Sequence, residues 1–262
     1  MESESVLFEA RDGVAIITLN RPEVLNAFDA GMLRALHECL HRAEGEGLRC
    51  VLLSGAGRAF SAGQDLSASQ DDYAKGGPDF NVILRELYHP VLRGIRTLRM
   101  PVVAAVNGVA AGAGMSLALA CDIRLASENA RFATAFSKIG LIPDAGMAYT
   151  LPRLVGAGRA NWMLATAEPV DAGAALAMGL ADQVMPAADF PAEAFAFAAK
   201  MAAGPTKAFV ITRRLLDEAA TCDFDHLLDL EAGAQAEAGA TQDHRMAVAS
   251  FLEKKPPSFQ GR

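Results

Sequence analysis

Apolar and polar positions follow one rhythm in the first half of the chain and another in the second. Early on, short apolar runs alternate with turns of small residues: residues 13–20 (GVAIITLN), 50–54 (CVLLS) and 102–106 (VVAAV). Asn20-Arg21-Pro22 closes the first run, Gly55-Ala56-Gly57 the second and Asn107-Gly108 the third, which predicts three buried strands. After the first strand, Asp29 can cap a helix whose apolar positions Met32, Leu33, Leu36 and Leu40 share one face. Residues 58–80 read as a loop with a polar tip over 71–78, and 80–98 as a helix interrupted or reshaped by Pro90. A Gly/Ala-rich turn and a helix over 115–120 follow the third strand. Strand, turn and helix recurring over about the first 150 residues predict an α/β core. After Pro152 the strand signals fade. Residues 159–166, 172–178, 190–203 and 206–219 read as helices, and 223–251 as a further helical region of mixed charge. The polar tail EKKPPSFQGR belongs on a surface or an interface.

At 262 residues, 52% hydrophobic and 21% charged, the chain can bury a full core and has the composition of a soluble globular protein. The net charge of −7, with Lys and Arg scattered, argues against nucleic acid or an anionic membrane as the main partner. Residues 100–121 carry no charge and could span a bilayer on length alone. Pro101, Asn107, Gly108, Gly112 and Gly114 break that stretch, so it reads as buried core. The start MESESVLFEARDG lacks a basic region followed by an apolar one, and no secretory leader is expected. Cys39, Cys50, Cys121 and Cys222 show neither CxxC spacing nor a nearby His ligand set, as expected of reduced thiols in a cytoplasmic protein.

Two turns of small residues follow strands. Gly112-Ala113-Gly114 invites a dinucleotide reading, but Leu117 stands where the third glycine belongs, and Asp122 is too near to be the ribose-binding acid. Residues 58–66 (RAFSAGQDL) form the second. Turns of this composition can aim two backbone amides at one oxygen, although spacing does not prove that they converge. Asp144 is the only carboxylate in the apolar stretch 136–146 (FSKIGLIPDAG). It reads either as a helix N-cap after Pro143 or as a proton acceptor. Apolar Ile142 and Phe136 would raise its pKa and a nearby helix N-terminus would oppose that.

The blocks GRAFSAGQDL (57–66), PVVAAVNGVAAGAGMSLALACDI (101–123) and FSKIGLIPDAG (136–146) resemble the signature blocks of the enoyl-CoA hydratase/isomerase, or crotonase, superfamily. ITLNRPEVLNAF (17–28) resembles its N-terminal block and SFLEKKPPSF (250–259) its end, so the resemblance covers essentially the whole chain. It implies a spiral of ββα units over 1–200 and a helical trimerisation region over 201–262. It further implies trimers or dimers of trimers acting on acyl-coenzyme A thioesters, with no metal and no permanently bound cofactor. By position, the oxyanion amides fall on Gln64 and Ala113. The CoA pocket falls near Leu25, Ala27, Ala62 and Asp65, while Phe251 and Lys254 match residues that reach the CoA of an adjacent subunit.

The departures matter most. Hydratases of the family use two glutamates, whose positions here hold Ser116 and Phe136, so ordinary hydration is expected to be weak or absent. Asp144 matches the acid of family isomerases and of one group of dehalogenases. FSKIGLIPDAG, GQDL and VNGVAAGAG are most similar to the phenylacetate-pathway branch. That branch converts ring-1,2-epoxyphenylacetyl-CoA to the oxepin thioester and moves double bonds in 3-enoyl-CoA. A general fatty-acid 3-enoyl-CoA isomerase shares this mechanism. A 4-halobenzoyl-CoA dehalogenase would use Asp144 as nucleophile with a His that falls on His89, but its partner Trp falls on Phe136, and the only Trp is Trp162. Where the branch usually has Gly-Thr, this chain has Met147-Ala148. Tyr88, His89, Ser116, Phe136 and Met147 are therefore the expected acyl-pocket residues.

Overall fold

A computed structural model describes residues 4–74 and 76–262. The chain opens with a hairpin, β1 (Val6–Arg11) and β2 (Val14–Leu19). It turns through Asp12 and Gly13, both at positive φ, the geometry that tight hairpins need and that Asp-Gly supplies. Helix α1 (Ala30–Gly45) starts where Asp29 accepts the Met32 N–H at 2.8 Å, and it buries Met32, Leu33, Leu36 and Leu40. Strands β3 (Cys50–Gly55) and β4 (Ala59–Ser61) precede a short α2 (Gln70–Ala74) and a longer composite helix. That helix begins as α3 (Phe80–Ile83), widens into a π segment over Leu84–Tyr88 and continues as α4 (His89–Thr97). Then come β5 (Val102–Val106), β6 (Val109–Ala111), α5 (Ala113–Ala120), β7 (Ile123–Ser127) and β8 (Arg131–Ala133). Helices α6 (Met147–Val155) and α7 (Ala157–Thr166) lead to β9 (Val170–Asp171), α8 (Ala172–Ala177) and β10 (Gln183–Met185). Four helices end the chain: α9 (Phe190–Ala202), α10 (Thr206–Ala219), α11 (Phe224–Gly239) and α12 (Gln242–Leu252).

The strands sort into two sheets, in the orders β1-β2-β3-β5-β7-β10 and β4-β6-β8-β9. From β2 to β10 the larger sheet is parallel, as are β4, β6 and β8 in the smaller. Three times in succession (β3 then β4, β5 then β6, β7 then β8) the chain lays one strand in each sheet. Alternate residues of the larger sheet face opposite sides. Ile17, Leu19, Val51, Leu53, Val102 and Ala104 join the main core, while Val14, Leu52, Val103 and Ala105 pack beneath α9.

Two expectations change, and the reading of 100–121 as buried core holds. Residues 58–80 hold β4, a 3-10 turn (Ser67–Ser69) and α2 rather than a bare loop. The uncharged stretch 100–121 becomes β5, β6 and a wholly buried α5, and among the described residues no helix is long and apolar enough to cross a membrane. Residues 223–251 split into α11 and α12, because Thr241 adopts an extended conformation and caps His244.

Helix α10 is tied to the core by charge. The Arg213 guanidinium meets Asp122 Oδ2 at 3.0 Å and donates to the carbonyls of Leu98 and Met100, all nearly out of solvent. Burial raises the Asp122 pKa, only partly offset by Arg213 and the Val102 N–H. Because the folded pKa lies above the unfolded one, this group's contribution to stability is fully present at low pH and is lost as pH rises through it. Arg213→Met, which strands the carboxylate, is expected to lose about 3–5 kcal/mol of stability at pH 8, and less at pH 5, where Asp122 can take up a proton. Urea unfolding at the two pH values measures both effects.

Candidate active site

The pairing of β4 with β6, Ala59 opposite Val109 and Ser61 opposite Ala110, sets two turns side by side. A Cβ on Gly63 (φ 92°) would stand 2.7 Å from the Ala111 carbonyl and 3.2 Å from the Ala113 nitrogen, so the turns are in contact. Around Gln64 the main chain is otherwise engaged. The Gly63 carbonyl accepts from Phe28, and the Asp65 N–H donates to the Phe28 carbonyl. The N–H groups of Gln64 and of Ala113, the first residue of α5, donate to no protein acceptor among the described residues. Both residues line one cavity of about 280 Å³.

The walls of this cavity are mostly apolar, with Phe80, Ile83, Leu84, Phe136 and Leu141 among them, and Asp144 is the lone carboxylate in the lining. A 3-10 turn over Phe136–Ile139 follows β8, and the Leu141 N–H returns to the Phe136 carbonyl. The Asp144 carbonyl then accepts from the Met147 N–H at 3.0 Å and from Ser116 Oγ at 3.1 Å. Its main chain is thus pinned from two sides, while Oδ1 of the carboxyl is buried with no partner among the described residues. Burial pushes the Asp144 pKa up to about 6. Helix α6 is entered through Gly146 at φ 82° with no side-chain cap, so Asp144 is not its N-cap. Of the two apolar neighbours expected beside the acid, Phe136 lines the cavity with it, whereas Ile142 is 80% exposed and Leu141 stands in the wall in its place.

Tyr88 also lines the cavity. Its hydroxyl donates to Gln64 Oε1 at 2.5 Å, and its ring meets Phe28 edge-on with centroids 6.1 Å apart. Burial, and then the Asp144 charge, pushes the phenol well up, so it stays protonated and acts as a donor. The π segment explains its placement. The His89 N–H bonds to the Leu84 carbonyl five residues back, just before Pro90, which has no N–H and whose ring crowds the carbonyl of Glu86.

Of the expected pocket residues, Tyr88 and Phe136 line the cavity, while Ser116, Met147 and His89 do not. Ser116 is fully buried, with its hydroxyl between the carbonyls of Gly112 and Asp144, and Met147, the first residue of α6, points into the main core. His89 lies half-buried among Arg93 and Arg85; burial and then those two charges lower its pKa. Of the positions assigned to CoA, Ala62 lines the cavity and its N–H donates to the Leu25 carbonyl at 2.9 Å. The Ala27 carbonyl accepts from Arg21, which also holds Asp65 at 3.0 Å. Asp65 is turned inward: burial opposes its ionisation, but Ser67, the Ala68 N–H and Arg21 outweigh it and hold the carboxyl below its usual range. Phe251, 80% exposed on α12, and Lys254, just beyond it, are not brought to the cavity by this chain. Phe80, Ile83 and Leu84 were absent from the expected site, although their spacing along one helix face was a usable signal.

The interleaved sheets and ββα succession define a crotonase-like α/β fold. The chain belongs to the enoyl-CoA hydratase/isomerase family, whose profile matches residues 9–262, and it is an enzyme of that family. It is 45% identical over 262 residues, all of both chains, to a Rhodobacter capsulatus protein described as a probable enoyl-CoA hydratase. It is 40% identical over 260 residues, 99% of each chain, to the 1,2-epoxyphenylacetyl-CoA isomerase of Escherichia coli K12. The solved structure of an enoyl-CoA hydratase from Polaromonas sp. JS666 superposes with a TM-score of 0.90 at 31% identity, covering 97% of this chain and 99% of that one.

An unpaired carboxyl whose folded pKa exceeds its unfolded value of 3.8 favours folding when protonated and loses that advantage as pH rises through about 6. Asp144→Asn, neutral throughout, is therefore expected to be more stable than the parent at pH 8 by ~1 kcal/mol after solvent screening, with the gap closing below pH 5. Denaturation at both pH values tests the sign.

Proposed function

We propose that this enzyme isomerises acyl-CoA thioesters by moving a proton α to the thioester, with Asp144 as the single acid–base group. The observation that carries the reading is the buried, unpartnered Oδ1 of Asp144, in a cavity that two unoccupied backbone amides also line. With the thioester carbonyl accepting from the Gln64 and Ala113 N–H groups, enolate charge forms where each donor is worth about 3–4 kcal/mol to the transition state. Ionised Asp144 takes the α-proton, and the resulting acid returns it to the far end of the conjugated system, so product and substrate are isomers. A carboxyl with a pKa of about 6 is mostly a base at neutral pH, yet remains a competent acid once protonated. With 3-enoyl-CoA such a reaction moves only a proton and an electron pair; with the ring epoxide the C–C bond shared by the epoxide and the six-membered ring also breaks, its electrons passing into the π system of the seven-membered ring, and neither case calls for a metal or redox cofactor beyond the CoA of the substrate.

The favoured substrate is ring-1,2-epoxyphenylacetyl-CoA, giving the oxepin thioester, with 3-enoyl-CoA double-bond migration as a second activity. Similarity to the Escherichia coli isomerase supports this, as do the two positions where the family resemblance puts hydratase glutamates. Ser116 is there committed to main-chain carbonyls, and Phe136 is an apolar wall, so neither holds a water for addition. Similarity to the Rhodobacter capsulatus protein favours the competing reading, hydration of 2-enoyl-CoA. The exposed Phe251 and Lys254 suit a CoA site completed by a neighbouring subunit in a cytoplasmic trimer or dimer of trimers, with 201–262 as the assembling region.

3-Enoyl-CoA incubated in D₂O is expected to yield the conjugated thioester and to take up deuterium. The rate should rise through pH of about 6 and fall by about 10²–10⁴ in Asp144→Asn. The ring epoxide should behave alike. Absence of exchange in the parent would sink the α-proton mechanism for this substrate, and hydration of 2-enoyl-CoA undiminished in Asp144→Asn would establish the competing reading.

A further inference from the structure

Away from the catalytic cavity, α1 carries the sequence His37-Glu38-Cys39-Leu40-His41. Histidines four residues apart lie one above the other on a helix face, the spacing by which H-E-x-x-H segments present two imidazoles to a metal. Here the two rings meet. Their Nε2 atoms are 3.1 Å apart and the ring planes stand at 88° with centroids 4.5 Å apart. His37 is half-buried against α4, its Cδ2 3.8 Å from where a Cβ on Gly94 would stand, while His41 is exposed. One ligand is therefore held by packing and the other faces solvent.

We propose that His37 and His41 chelate one divalent late first-row transition ion, of the class Ni²⁺, Cu²⁺ or Zn²⁺. With metal–nitrogen distances of about 2.0–2.1 Å, a 3.1 Å separation corresponds to a ligand–metal–ligand angle of about 95–100°, between the right angle of square-planar or octahedral sites and the tetrahedral value. In the metal-free pair one Nε2 donates to the other; when the ion binds, the donor ring carries its proton on Nδ1 instead, and both Nε2 lone pairs go to the metal. Imidazole ligands select this class over Mg²⁺ and Ca²⁺, which prefer oxygen. Among the described residues no cluster of three or more His, Cys, Asp or Glu side chains surrounds the site, so water fills the remaining positions. Without a third protein ligand the arrangement lacks the closed shell of a structural zinc site and the catalytic set of a metalloprotease. The ion would instead clamp one turn of α1. Neither histidine lines the catalytic cavity, so this site stands or falls separately from the isomerase reading.

Tag-free, chelator-washed protein should bind one equivalent of Ni²⁺ or Zn²⁺ per chain in isothermal titration, with no heat from Mg²⁺. Partners outside the coordination shell are already worth about 10–100-fold in metal affinity, so loss of a direct ligand in His37→Gln or His41→Gln should cost at least ~10-fold. His226→Gln, at an exposed histidine on α11, should change nothing. Cu²⁺ bound to the parent should show two nitrogen couplings in its paramagnetic resonance spectrum, and His41→Gln should leave one. Unchanged affinity or an unchanged spectrum in His41→Gln, an exposed position whose replacement spares the packing of His37, would overturn the proposal.

Discussion

The carbonyl oxygen of Ser61 lies where a side chain on Gly114 would begin: a Cβ built there would stand 2.3 Å from it. With Gly63 pressed against Ala111 and Ala113 in the same way, β4 and β6 approach until their C-terminal turns touch. That contact converts two ordinary loops into a pair of amides facing one cavity. The next layer depends on it as well. The Gly112 N–H bonds to the Ala133 carbonyl of β8, and the chain leaving β8 carries Phe136 and then Asp144 into the lining of the same cavity. Side chains at either glycine would push the strands apart and misplace donors and acid together.

Two aspartates in this neighbourhood show how environment divides labour. Asp65 is nearly buried yet satisfied by Arg21, Ser67 and two amides, so it stays ionised and holds the turn after Gln64 in shape. Asp144 receives its restraint through the main chain alone, from Ser116 and Met147, and its carboxyl is left with an unpartnered oxygen. Desolvation then acts without compensation, and the pKa moves up. A carboxyl anchored by its own hydrogen bonds would be better for stability and worse for proton transfer; here the anchor has been placed on the backbone.

Local signals make much of this readable from the chain itself. The capping Asp29 and the apolar face of α1, the runs that form β2, β3 and β5, and the helix over 206–219 are each decided by near neighbours in sequence. The three-residue strands β4, β6 and β8 are not readable, because three residues carry no usable period and their pairing is non-local. The convergence of Gln64 and Ala113 rests on those strands and shares their obscurity. Asp144 stands out by composition, but its choice between cap and cavity turns on where Gly146 starts α6. Ser116, His89, Met147 and Ile142 miss the cavity for one reason: residue type suggests a pocket, whereas only tertiary direction decides whether a side chain enters it. Phe251 and Lys254 concern a second copy of the chain, which one chain's sequence pattern cannot position.

Pro90 shows the reverse case, a local rule with a distant effect. A proline one residue into α4 cannot donate to the preceding turn, and the helix answers by widening to the five-residue hydrogen bond between His89 and Leu84. In a regular α-helix Tyr88 would stack over Leu84 and Arg85, three and four residues back. The π segment adds a residue to that turn and so rotates Tyr88 relative to Phe80 and Ile83. All three nonetheless line the cavity, together with Leu84. The phenol reaches Gln64 Oε1 and fixes the side chain of a residue that lines the cavity. Rigidity at Gln64 is therefore supplied from a helix that lines the same cavity, and the proline that deforms that helix shapes the site without lining it.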